Sequence, residues 1–140
     1  MCGIFGFTGH SSWKTSVLLQ ALCIADEVRG QHSTGLVVQT STSDFFMSKK
    51  ALRGKSFVAR GHCAFLFNRK YGNALGHNRF ATAGAVNDRN AHPFAVKVGA
   101  GKWNFGVHNG IVGDKEVIAR DYGVRNHDVD SAVALGAIGK

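Results

Sequence analysis

Apolar and glycine residues alternate through "CGIFGFT", residues 2 to 8, and predict a first strand whose glycines admit close backbone approach. Ser11 and Ser12 then offer a helix N-cap. Leu18, Leu22, Ala25 and Val28 follow at helical spacing, with Leu19, Ala21 and Ile24 widening the apolar face. A stop is expected near Arg29-Gly30. "GLVVQT" and "DFFMSK" read as two strands joined by the polar turn "STSD". The mixed segment from about 53 to 72 reads as a second helix. "NALGHNRFATAG" reads as a strand running into a glycine-ended loop. "FAVKVG" and "KWNFGVHNG" form a further strand pair around a Gly-rich turn. Asp114 is placed to cap a short helix, "KEVIARDYG", closed by Gly123, and a last helix starts near Asp130-Ser131.

One strand, one long helix, a group of strands and then helices again is an α+β order rather than alternating βαβ units. The 140 residues are enough for one domain with a real core. Glycine is the unusual count, 18 against a single Pro. The net charge of +8 fits a nucleic-acid partner, an anionic substrate or an acidic protein surface. Its basic residues fall in small clusters without interleaved aromatics, which argues against nucleic acid. Three cysteines without CxxC spacing argue against a disulfide scaffold or a zinc site and for a reducing compartment. No apolar run approaches a membrane span, and no basic segment precedes an apolar one at the start. The expectation is therefore a cytoplasmic protein without a membrane segment.

Five short stretches carry chemistry. Cys2 follows the initiator Met and is small enough for that Met to be removed. As an N-terminal residue it would carry its own base, because an α-amine with a pKa of about 7.7–8.0 is partly neutral at pH 7 and can take the thiol proton. Its bland alternative is a small buried hydrophobe. Arg29 in "RGQHSTG" could stabilise a thiolate, or simply end a helix. Arg79 in "GHNRFATAG" is placed at a strand end, where a guanidinium holds a carboxylate through two parallel hydrogen bonds; Thr82 and the backbone at Phe80 and Ala81 add polar contacts. Asn109-Gly110 in "VHNGIV" is either a hairpin turn or an oxyanion hole. Asp130 in "HDVDSAV" either caps a helix or binds an ammonium group, with Asp128 competing for either role. A nucleophile, an oxyanion hole, an Arg for a carboxylate and an Asp for an ammonium describe a site for an amino acid with a side-chain acyl bond. Glutamine satisfies all four.

These residues also sit in motifs that resemble the glutaminase domain of class II glutamine amidotransferases, which are N-terminal-nucleophile hydrolases. "MCGIFG", "RGQHSTG", "HNRFATAG", "NAHPF", "HNGIV" and "DSAV" occur in that family's order, from residue 2 to about 133. The resemblance implies a four-layer αββα sandwich, shortened or incomplete at the C-terminal end, in one domain over 1–140 with no synthetase domain. It implies Cys2 as nucleophile, Arg29 ordering the N-terminus and Asn109 with Gly110 as oxyanion hole. Arg79, Phe80 and Thr82 would take the glutamine carboxylate end, and Asp130, or Asp128, the amine. L-glutamine would be hydrolysed to glutamate and ammonia through a γ-glutamyl thioester, with no metal or cofactor. Ammonia would pass to a separate synthetase, and self-association is left open. Ala132 stands where the family usually has Glu, and Ala83 where its sugar-phosphate branch has His, which sets the chain apart from the hexosamine-phosphate synthases. Two further readings stay open: an N-terminal-nucleophile amidohydrolase acting on another amide, and a catalytically silent binding or structural subunit.

Overall fold

A computed structural model describes residues 1–40, 44–99 and 101–140. The first strand, β1, is Gly3–Thr8. Helix α1 is Trp13–Ala25, with Ser12 as its N-cap: the Ser12 hydroxyl accepts the Thr15 N–H at 3.2 Å. A 3-10 turn, Asp26–Arg29, ends at Gly30, close to the expected stop. Strands β2 (Ser33–Gln39) and β3 (Phe45–Lys50) follow. Residues 41–43, the first three of the expected "STSD" turn, lie outside the described residues, as does Ala100 in the Gly-rich turn between the last two strands.

The second helix expected over about 53 to 72 is instead two short ones, α2 (Gly54–Ala59) and α3 (Phe65–Asn68). Gly61 between them has φ +76, a left-handed conformation that breaks a continuous helix. Strand β4 is Asn73–Arg79, β5 is Phe94–Lys97 and β6 is Trp103–Gly106. Helix α4 (Lys115–Asp121) closes at Gly123, and α5 is Asp130–Ile138. Asp114 does precede α4, but in a left-handed conformation (φ 51) and without a capping hydrogen bond from its side chain.

The strands form an antiparallel four-stranded sheet in the order β1-β4-β2-β3 and a two-stranded sheet of β5 and β6. Directly paired residues share a face. On one face Phe5, Ala74, Leu36 and Val38 meet Leu19 and Cys23 of α1, Phe57 of α2 and Leu66 of α3 in the main core. On the other face Phe45 packs against Trp103 and Phe105 of β6, with ring centroids 5.6 and 4.7 Å apart. Leu135 of α5 lies against Gly106 of β6, and Val96 of β5 lies against Gly139 just beyond α5.

The face of α1 differs from the expected one. Ser16, Leu19 and Cys23 are inward, whereas Leu18 is 55% and Val28 80% exposed. Between Val17 and Ala25 the only polar residues are Gln20 and the weakly polar Cys23, so periodicity does not choose a side. Packing chooses it: the Ser16 hydroxyl donates to the Leu66 carbonyl at 2.7 Å and meets the Tyr71 hydroxyl at 3.1 Å. Val28 sits in the 3-10 turn, where the helical phase has already changed. All three cysteines are free, and Cys23 and Cys63 are fully buried against one another. Their hydrogen bond and their burial push the Cys23 thiol far up.

Candidate active site

The register of the four-stranded sheet builds the site. Gly3 pairs with Asn78, so Cys2 lies beside the end of β4, next to Arg79 and Phe80. Ser33 pairs with Arg79 on the opposite side, which brings His32 to the other flank of the same strand end. Cys2 is half-buried. Its sulfur accepts the Phe80 N–H at 3.3 Å, and the thiol can donate to the Phe80 carbonyl at 3.6 Å. Its backbone N–H donates to Asn109 Oδ1 at 3.0 Å across 107 residues of sequence. Arg29 Nε donates to the Cys2 carbonyl at 3.2 Å, and Nη2 lies 3.9 Å from the Met1 sulfur. The 3-10 turn that carries Arg29 comes so close to β1 that a Cβ on Gly3 would sit 1.9 Å from an Asp26 carboxylate oxygen. Burial raises the Asp26 carboxyl, and nearby Arg29 opposes this.

Arg79 is 3% exposed. Its guanidinium donates to the Ala83 carbonyl and, at 3.3 Å, to the Ala85 carbonyl, holding the loop after β4. Burial lowers its proton affinity, while Cys2 and Asp130 pull the other way. Phe80 is half-exposed and leans on the His32 ring, with centroids 4.8 Å apart. Thr82 is exposed on the loop beyond it.

Asn109 and Gly110 lie on the loop after β6, and α5 ties that loop down on both sides. Asp130 Oδ2 accepts the Val112 N–H at 2.6 Å, and Oδ1 accepts the Ser131 N–H at 2.8 Å. The Ser131 hydroxyl meets His108 Nδ1 at 3.0 Å. His77 Nε2 donates to the His108 carbonyl at 3.2 Å, which fixes its tautomer because a carbonyl only accepts. Burial pushes His77 down to about 4 and His92, stacked on it at 4.2 Å, down to about 2. Asp130 thus anchors the loop after β6 through Oδ2, while Oδ1 is held within the first turn of α5 by Ser131. Asp128 is exposed, and its carbonyl accepts from Lys115 at 3.3 Å.

The structure brings Cys2, Arg29, Phe80 and Asn109 into direct contact, with Arg79 directly behind. Four supporting residues escaped the motif reading. His32 accepts the Ala81 N–H at 2.8 Å, and His108 with Ser131 holds the loop. Lys49 wraps the "NAHPF" segment by donating to the carbonyls of Arg89, Ala91 and Pro93 at 3.2, 2.8 and 3.3 Å, and burial pushes its ammonium down to about 8. The His in "RGQHSTG" and the His in "HNGIV" both lie within motifs; only long-range pairing gives them work. The cleft lined by Val37, Gln39, Leu75, Trp103 and Phe105 lies at the other end of β2 and β4 from Cys2.

Sequence comparison bears directly on this arrangement. Glutamine–fructose-6-phosphate aminotransferase (isomerizing) from Campylobacter jejuni is 36% identical over 113 residues, covering 80% of this chain and 17% of that enzyme. The Geobacillus kaustophilus enzyme of the same name is 34% identical over 87% of this chain and 19% of its own length. The Listeria monocytogenes enzyme is 31% identical over 99% of this chain and 22% of its own length. The chain is a homologue of the class II glutamine amidotransferases. It spans about a fifth of the length of these curated relatives. No family model matches it. The separation from hexosamine-phosphate synthases read from Ala83 is corrected by these matches, which all carry a fructose-6-phosphate aminotransferase name. One side chain in an exposed loop weighs less than identity along most of the chain. Among the described residues no helix is long and apolar enough to cross a membrane.

Proposed function

We propose that this chain is the glutaminase unit of an amidotransferase, hydrolysing L-glutamine to glutamate and ammonia through a thioester on Cys2. The observation that carries this reading is the convergence of three separate motifs on one residue: Arg29 on the Cys2 carbonyl, Asn109 on its nitrogen and Phe80 on its sulfur. We read the packing of α1 and α2, the four-stranded sheet, the two-stranded sheet and α5 as a short αββα sandwich, one glutaminase domain over residues 1–140.

Removal of Met1 would turn the Cys2 nitrogen into an amine at the place where it touches Asn109. That amine takes the thiol proton, directly or through water. The thiolate attacks the glutamine side-chain carbonyl carbon. Charge builds on the carbonyl oxygen, where an amide donor is typically worth about 2.7–4 kcal/mol of barrier. Because Asn109 Oδ1 already accepts from the Cys2 nitrogen, its Nδ2 is left to donate there beside the Gly110 N–H. The C–N bond breaks and ammonia leaves with the proton held on the amine. A water then gives its proton to the same amine, attacks the thioester and releases glutamate.

Arg79 keeps three of its five N–H groups beyond the two that hold the loop, enough for a bidentate grip on the α-carboxylate. Phe80 and Thr82 line that end. Asp130, with Asp128 as its competitor, takes the α-amine; three donors already on the Asp130 carboxylate leave it lone-pair capacity for one more. Ammonia would then serve an acceptor on a partner synthetase or a further domain.

The test is glutamate release from glutamine by protein whose loss of Met1 is confirmed by intact mass. Cys2→Ala is expected to abolish release, and Asn109→Ala to lower kcat by about 100-fold or more. Activity of Cys2→Ala equal to wild type would sink the mechanism. Hydrolysis of other amides in preference to glutamine would move the reading to a different amidohydrolase.

A further inference from the structure

We infer that His32 is a positioning residue for the Cys2 nucleophile, acting through a single peptide plane; this rests on the glutaminase reading above. The end of β4 has Cys2 on one side and His32 on the other. The peptide between Phe80 and Ala81 spans that gap. In a trans peptide the C=O and the N–H point in opposite directions. Here the C=O faces the Cys2 sulfur at 3.6 Å and the N–H meets His32 Nδ1 at 2.8 Å. The Phe80 N–H, one peptide earlier, also meets the sulfur at 3.3 Å. The sulfur therefore rests on a shelf of two Phe80 backbone groups, and the far side of that shelf is held by His32.

Two further contacts fix His32 in turn. Its own N–H donates to the Arg79 carbonyl at 3.0 Å, and its ring leans on Phe80 at 4.8 Å. Since Nδ1 accepts an amide proton, His32 works as the tautomer protonated at Nε2. Its job is that of a hydrogen-bond acceptor at the δ position. It exchanges no proton with Cys2 and touches no reacting atom. The Phe80 N–H donating to sulfur favours the ionised, attacking form, while the Phe80 C=O that His32 fixes accepts from the thiol and holds the sulfur in place until its proton leaves. A relaxed shelf costs that form more than it costs glutamine binding.

Substitutions separate the acceptor from the ring. His32→Asn puts an oxygen where Nδ1 is, without the ring. His32→Phe keeps the ring without an acceptor. His32→Gln moves the acceptor one bond further out. Two readouts are taken on the Met1-free chain: kcat and KM for glutamine, and the rate at which iodoacetamide alkylates Cys2. Cys23 and Cys63 are fully buried, so early alkylation reports Cys2. Thermal unfolding of each variant sets aside any that has lost its fold, and His32→Asn against His32→Gln compares two polar replacements of similar size.

His32→Phe is expected to lower both kcat and the alkylation rate by about tenfold, the scale of one hydrogen-bond partner removed, with KM changed less than about threefold. His32→Asn is expected to restore both to within about threefold of wild type, and His32→Gln is expected not to. Folded His32→Phe protein with wild-type alkylation and kcat overturns the proposal, as does His32→Asn performing no better than His32→Gln. If wild type releases no glutamate while alkylation still follows the δ acceptor, the glutaminase reading fails and the role of His32 stands. If glutamine is hydrolysed and the variants do not differ, the reverse holds.

Discussion

His108 and Ser131 share one hydrogen bond of 3.0 Å, and it joins the loop carrying Asn109 to the helix carrying Asp130. Gly110 packs on the His108 ring, where a Cβ would come within 2.8 Å of Nε2. The imidazole is thus a strut under Asn109 and Gly110, the pair proposed as oxyanion hole, held at its far end by a hydroxyl. Ser131→Ala removes that end. We expect kcat for glutamine to fall about tenfold, the cost of leaving a partly buried partner unsatisfied, with a smaller change in KM. His108→Ala should act through the same bond, so the double variant should lose little more than either single one. Steady-state kinetics of the three variants would measure this; fully additive losses would show that the two residues act separately.

At the scale of elements, α1 tests how the sheet selects a helix face. Leu19 is 1% exposed in the core, whereas its neighbour Leu18 is 55% exposed. Leu19→Ala should cost about 2–5 kcal/mol, as buried Leu truncations do. Leu18→Glu should change stability by no more than about 0.5 kcal/mol, as surface changes do. Urea denaturation of the two variants would check it, and the reverse ranking would mean that the helix is rotated. The same comparison marks what a sequence makes legible. Strand positions, the Ser12 cap, the Gly123 stop and the start of α5 are set by local chemistry and were readable. The direction of α1 was not, because a helix that is apolar on most sides takes its orientation from Ser16, Leu66 and Tyr71 far along the chain. The site divides in the same way. Cys2, Arg29, Arg79 and Asn109 were legible as motif residues. His32, His108 and Lys49 were not, because their partners lie 49, 23 and about 40 positions away.

For the whole molecule, the buried histidine stack sets a limit on acid stability. His77 and His92 are almost fully enclosed between the sheets, and burial pushes them down to about 4 and about 2. An unfolded histidine titrates near 6.5. Between those values the unfolded chain binds more protons than the folded one, so stability falls as pH drops below about 6.5 and continues to fall through about pH 4. Asp26 acts in the opposite sense, since burial raises its carboxyl and its protonation favours the folded state. Asp88, held low by hydrogen bonds from Lys50 and Ala51, adds a loss at lower pH. A difference measurement removes both. His92→Phe keeps a ring against His77 and Phe94 but cannot take up a proton; it also deletes two buried nitrogens that have no hydrogen-bond partner among the described residues. From pH 6.5 to 4.5, wild type should lose about 2 kcal/mol more than His92→Phe. Urea midpoints at matched pH would show the two curves converging or crossing as pH falls. Parallel curves would mean that His92 is protonated in the folded protein, and so that the stack between the sheets is open to water.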